Sequence, residues 1–99
     1  MTDSMPDLGP DKSLLVVDDD EPFRRRLARA MEKRGFEVVM AESIAQGLTQ
    51  VRTQPPAYAV VDLRLEDGNG LDVVETLRGV REDARIVVLT GYGAIATAV

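Results

Sequence analysis

Two short apolar runs in this sequence stop at acids, and a third stops at a hydroxyl. Leu14-Leu-Val-Val17 gives way to Asp18, Asp19 and Asp20, Tyr58-Ala-Val-Val61 to Asp62, and Ile86-Val-Val-Leu89 to Thr90. Cysteine and histidine are both absent, which excludes disulfides, thiolate nucleophiles, Cys-based zinc sites and any Ser-His-Asp device. What remains is oxygen chemistry. Carboxylates crowded together repel one another unless a cation joins them or one keeps a proton. A purely oxygen donor set suits magnesium better than zinc or copper. With two acids on such a cation, a third carboxylate can act as a nucleophile toward phosphorus. A hydroxyl in the position of Thr90 could hydrogen-bond a phosphoryl oxygen.

The elements that must position these groups follow from periodicity and turn chemistry. Residues 13–18 read as a strand buried on both faces. A helix opens at Pro22 behind an Asp cap, carries Phe23, Leu27, Ala30 and Met31 on one stripe, and stops at Gly35. Residues 36–41 form a second strand. Ser43-Ile-Ala-Gln46 is a capping box that opens a second helix, with Ile44, Leu48 and Val51 inward, ended by Gln54-Pro55-Pro56. A third strand spans residues 57–61. Residues 66–70 are a loop with turn chemistry, and Gly68-Asn-Gly70 lacks the third glycine and the position of a nucleotide fingerprint. A third helix carries Leu71, Val74 and Leu77 and ends near Gly79. A fourth strand covers residues 85–89, and residues 94–99 begin an apolar helix.

Strands alternating with helices predict an α/β fold with a doubly wound parallel sheet. In strand order 2-1-3-4 the strands ending in Asp19 and Asp62 are neighbours, ~5 Å apart, at the switch point where such sheets bind ligands. The pattern stops one strand and one helix short of a five-stranded unit. Residues 1–12 are expected to be a flexible tail, and residues 13–99 one domain, incomplete at its C-terminal end. The fourth strand would then present an unpaired edge, favouring a homodimer or an exchange of strand or helix between copies.

Composition narrows the class. The chain has 99 residues, 44% hydrophobic and 29% charged, the profile of one small soluble domain. No apolar run approaches the ~20 residues that cross a bilayer, and the N-terminus lacks a signal-peptide pattern, so no membrane association and a cytoplasmic location are expected. The net charge of −5 argues against this chain gripping a nucleic acid by itself. Arg24, Arg25, Arg26, Arg29, Lys33 and Arg34 read as a solvated basic face of the first helix, or a docking surface for an acidic partner.

Val16-Val17-Asp18-Asp19-Asp20, Val61-Asp62 followed by Gly70-Leu71, and Val88-Leu89-Thr90-Gly91 resemble the three signature segments of response-regulator receiver domains from two-component signalling. The resemblance runs from about Ser13 to Val99. It implies a flavodoxin-like fold and a phosphoryl group passed from a sensor histidine kinase to Asp62. It further implies Mg2+ bound directly by Asp19 and Asp62, with Asp18 helping through water and the backbone carbonyl of Arg64 as a further ligand. Thr90 would be the switch hydroxyl, with Tyr92 reporting the change on the same face. The chain would be a phosphoacceptor rather than an enzyme, limited to magnesium-dependent self-phosphorylation and autodephosphorylation. Asp62-Leu-Arg-Leu-Glu-Asp-Gly-Asn-Gly70 and residues 89–98 resemble more narrowly the redox-responsive global regulators of the RegA/PrrA type. Those pair with a redox-sensing membrane kinase and control transcription, binding DNA through a C-terminal helix-turn-helix domain that this sequence does not contain.

Two features depart from the receiver pattern. Glu66 stands where receivers usually carry proline, and the sequence stops before the lysine that ends their fifth strand. Two other readings compete. A haloacid-dehalogenase-like phosphotransferase would make Asp18 the nucleophile, and a receiver-like interaction module would leave the acids vestigial.

Overall fold

The computed structural model describes residues 10–90 and the backbone of a strand at Ile95–Ala98. Five elements of the main sheet are β1 (Ser13–Val17), β2 (Glu37–Ala41), β3 (Tyr58–Asp62), β6 (Arg85–Leu89) and β7 (Ile95–Ala98). Between them run α1 (Glu21–Lys33), α2 (Ile44–Thr53) and α3 (Leu71–Val80), and a small hairpin of β4 (Arg64–Leu65) and β5 (Gly68–Asn69). The sheet order is β2-β1-β3-β6-β7. β1, β2, β3 and β6 are parallel, as the alternation of strands and helices requires. Winding reverses after β2, so right-handed crossovers put α1 on one face and α2 and α3 on the other. The reversal places the C-terminal ends of β1 and β3 side by side.

Local chemistry sets the helix ends where the sequence placed them. The Asp20 carboxylate accepts from the Phe23 N–H (3.2 Å) and caps α1, with Pro22 in the first turn. At its other end Gly35 takes φ +98°, a left-handed turn that most side chains resist, and the Phe36 N–H returns to the Met31 carbonyl. Ser43 Oγ accepts from the Gln46 N–H (3.1 Å), while Gln46 Oε1 accepts from the Glu42 N–H (3.0 Å). The capping pair therefore closes one residue wider than the strict box.

The main core lies between the sheet and the α2/α3 layer. Leu15, Val17, Val61, Ile86 and Val88 from the strands meet Ile44, Val51, Val73, Val74 and Leu77 from the helices. Leu15, Leu77 and Ile86 are fully buried, each burial worth about 1.5–3 kcal/mol. Leu14 and Val16 are buried on the α1 side. The inward stripes differ in detail from the sequence expectation. Ala30 and Leu71 are exposed, while Arg24, Ala28 and Val73 are buried.

Two expectations for the C-terminal segment are overturned. Residues 95–98 are not a helix start but an antiparallel strand, pairing Leu89 with Ile95 and Ile86 with Ala98. The outer edge of β6, expected to be unpaired, is therefore occupied, and the sheet has a fifth, antiparallel strand where none was expected. An edge strand leaves a row of backbone donors and acceptors to be satisfied. A neighbour joined by a few residues can reach that edge only antiparallel, because a parallel return needs a long crossover. A second finding concerns residues 10–12. Asp11 accepts from the backbone and hydroxyl of Ser13 (3.0 and 2.6 Å) and pairs with Arg81 (2.7 Å), so it is tied to the domain rather than part of a free tail.

Candidate metal and phosphoacceptor site

Asp18 and Asp19 follow the last residue of β1, and Asp62 is the last residue of β3. Val17 registers with Val61, so the acids emerge from adjacent strands at one end of the sheet. Each offers a carboxylate oxygen, and these oxygens lie within 4.8 Å of one another. The three differ in exposure: Asp18 is buried, Asp62 half-buried and Asp19 exposed. Burial raises the Asp18 carboxyl above its usual range, and repulsion from Asp62, Asp19 and Asp20 adds to it, against an opposing hydrogen bond from the Asp20 N–H (2.9 Å). A site that holds a buried acid against two others has the donor set and the excess negative charge that suit a hard divalent cation.

The surrounding backbone fixes these groups. The Arg64 N–H donates to Asp62 Oδ1 (3.1 Å), and the Leu63 N–H donates to the Leu89 carbonyl (2.9 Å), pinning the residues after β3 to the end of β6. Thr90 follows there, half-buried, one strand over from Asp62. Gly70 explains its own spacing from Asp62. A β-carbon at Gly70 would collide with the Asp62 carbonyl oxygen and stand 2.8 Å from a Val61 methyl carbon, so no side chain fits there. Asp20 caps α1 and is not part of the acid cluster. Tyr92 lies outside the described residues.

Three contributors were not legible as part of the site. Arg24 is buried, not solvated. Its Nη1 donates to the Asp18 carbonyl (2.7 Å), and its Nη2 stands 3.9 Å from Glu42. The signal was present, because Arg24, Leu27, Ala28 and Met31 fall at i, i+3, i+4 and i+7, the spacing of an inward face. Charge alone argued for solvent. The Glu66 N–H donates to Asp19 Oδ2 (3.2 Å), a bond that proline in that position could not make. Asp67 turns its carboxylate away from the acids, accepting from the Ile44 N–H (3.0 Å) and the Ala45 N–H (3.1 Å).

Fold and site together define a class: a doubly wound, flavodoxin-like α/β sheet with three acids gathered at its switch point. The chain belongs to the response regulator receiver domain family, whose profile matches residues 14–99. It is 74% identical over 93 residues to the photosynthetic apparatus regulatory protein RegA of Rhodovulum sulfidophilum, covering 94% of this chain and 51% of that protein. It is 66% identical over 92 residues to the acid tolerance regulatory protein ActR of Rhizobium meliloti, covering 93% and 47%. The chain thus spans about half the length of the curated relatives it matches.

Among solved structures, a Burkholderia pseudomallei response regulator with a phosphorylated aspartic acid, calcium ion and citrate superposes with TM-score 0.78 at 39% identity, over 85% of this chain and 49% of that one. The Thermotoga maritima response regulator TrrA in complex with Mg2+-BeF gives TM-score 0.75 at 29% identity, over 83% and 71%. Receiver domains are signalling modules, and among the described residues no helix is long and apolar enough to cross a membrane.

Proposed function

We propose that this chain is the phosphoacceptor of a two-component regulator and that Asp62 takes the phosphoryl group. The observation that carries the reading is the convergence of Asp18, Asp19 and Asp62, with Asp62 on the third strand beside the switch point. Asp19 and Asp62 would hold Mg2+, with the Arg64 carbonyl as a further ligand and the buried Asp18 acting through water. The bound ion supplies charge neutralisation on the transferring phosphoryl group. An Asp62 carboxylate oxygen attacks phosphorus, forming the P–O bond as the P–N bond to the kinase histidine breaks, and the ring nitrogen leaves with the electron pair. Thr90 follows β6 one strand over and would donate its hydroxyl to a phosphoryl oxygen. Tyr92, close by in sequence, would report the change on that face.

The partners follow from the same reading. A sensor histidine kinase donates the phosphoryl group, and transcriptional output comes through a DNA-binding domain outside this chain. The similarity to regulators of the photosynthetic apparatus and of acid tolerance supports a regulatory output. Association between copies is a separate property, read by sedimentation. A cytoplasmic setting fits both partners.

Incubation with acetyl phosphate and Mg2+, then borohydride trapping and peptide mapping, locates the acceptor. Reduction product is expected at Asp62 and at neither Asp18 nor Asp19. Label on Asp18 would instead favour phosphotransferase chemistry of the haloacid-dehalogenase kind. A companion titration with Mg2+ and beryllium fluoride should shift the amides of Leu63 and Thr90, and Asp62→Asn should abolish those shifts.

A further inference from the structure

Glu66 and Asp67 form the tip of the β4–β5 hairpin, which pairs Arg64 with Asn69 and Leu65 with Gly68. So short a ladder has little stability of its own, since even longer isolated hairpins are marginal in water. Its position must come from what it touches. Leu65 is buried in the core that includes Ile44. Neighbouring tip residues then reach in two directions: the Glu66 N–H holds Asp19 Oδ2, and the Asp67 carboxylate holds the first two amides of α2. With Ser43 on the Gln46 N–H, the amides of Ile44, Ala45 and Gln46 are each satisfied, two of them from across more than twenty residues of sequence. Those two bonds hold the Asp67 carboxyl below its usual range, the Ile44 amide contributing most. A local cap would have served α2 alone. This one also fixes the hairpin that begins two residues after Asp62 and carries the Arg64 carbonyl.

We propose that Asp67 is a positioning residue for the cation site, anchoring the β4–β5 hairpin to the start of α2 so that Glu66 and Arg64 present Asp19 and a backbone carbonyl to the metal. The inference rests on the reading of Asp18, Asp19 and Asp62 as that site. Groups that orient metal ligands typically carry 10- to 100-fold of metal affinity. The linkage is also reciprocal: a cation drawing on Asp19 pulls on the Glu66 amide and, one residue on, on the cap of α2.

The test compares Asp67→Ala with Ser43→Ala. Both remove capping from α2 and both should lower the Tm, but only the first releases the hairpin. Mg2+ affinity is followed through the amide shifts of Asp62 and Leu63. Asp67→Ala should bind Mg2+ roughly tenfold more weakly, Ser43→Ala within about twofold of the wild type, and Asp67→Asn, which keeps one acceptor oxygen, should fall between. In the wild type, Mg2+ should also shift the Ile44 and Ala45 amides, and that response should vanish in Asp67→Ala. If Asp67→Ala fails to fold, the Asp67→Asn affinity and the wild-type shifts at Ile44 and Ala45 still decide. A wild type that binds Mg2+ without moving those amides, or variants at Asp67 that bind as the wild type does, would overturn the anchor alone. A wild type with no Mg2+ response near Asp62 would overturn the metal site and the anchor with it.

Discussion

At Gly70 a side chain has nowhere to go: its β-carbon would meet the Asp62 carbonyl oxygen, with a Val61 methyl carbon 2.8 Å away. Gly79, inside the helix that Gly70 precedes, has nothing within 4 Å of that position. The two glycines should therefore respond to alanine with opposite signs. Gly70→Ala is expected to cost about 3 kcal/mol as the Asp62 backbone shifts to make room, and to weaken Mg2+ binding with it. Gly79→Ala is expected to stabilise by about 0.5–1 kcal/mol through helix propensity. Urea melts of both variants check the pair, and equal effects would refute the close approach. Arg24 belongs at this scale too. Its buried guanidinium satisfies the Asp18 carbonyl, so Arg24→Ala leaves a buried acceptor bare and should cost about 2–3 kcal/mol. Substitution of the exposed Arg26 should change stability by less than about 0.5 kcal/mol. Similar losses for both would place Arg24 back in solvent.

Elements are tied together at the end of the sheet opposite the acids by Asp11 and Arg81. Arg81 joins Asp11 (2.7 Å), the Pro55 carbonyl (3.0 Å) and Asp83 (3.3 Å), linking the segment before β1, the turn before β3 and the turn after α3. Hydrogen bonds from the Ser13 hydroxyl and amide, then from Arg81, hold the Asp11 carboxyl at about 2, below its ordinary 3.8. A depressed carboxyl stabilises the fold above its unfolded pKa and loses that contribution as pH falls through its folded one. The difference in unfolding free energy between wild type and Asp11→Asn should thus be full above pH 4 and close between about pH 4 and 2. With the Asp11 side chain 42% exposed, screening reduces its size to about 1 kcal/mol. A difference that persists unchanged at pH 2 would show that the ionised carboxylate is not what binds Arg81.

For the whole molecule, the acid cluster is a fault in the fold that a bound cation would relieve. Asp18 is buried with its carboxyl raised, and the chain already carries a net charge of −5. A ligand that binds only the folded state stabilises it by mass action. At ten times its Kd, Mg2+ should therefore add about 1.4 kcal/mol to the unfolding free energy. Asp19→Asn should remove most of that increment by weakening the site. Thermal melts with and without Mg2+, at constant ionic strength, make the comparison. An increment that survives Asp19→Asn would mean the ion acts by general screening.

The order of the main strands and helices through β6 and the three acids were legible in the sequence because each rests on a local rule. Buried parallel strands read as continuous apolar runs, and Asp20 and Ser43 announce helix starts through their own side chains. The switch-point argument then brings Asp18, Asp19 and Asp62 together without coordinates, since right-handed crossovers leave few topologies to consider. The tertiary structure decided what depends on partners distant in sequence. Arg24 is inward because a carbonyl at the end of β1 waits for its guanidinium, a fact that charge patterning hides. Asp67 caps a helix that begins 23 residues before it, and a turn residue does not reveal such a target. Residues 95–98 have an apolar composition compatible with helix or strand, and the open edge of β6 settles the choice through backbone hydrogen bonds. Sequence determines what each segment can do alone; which unpaired group it will satisfy is fixed only when the segments meet.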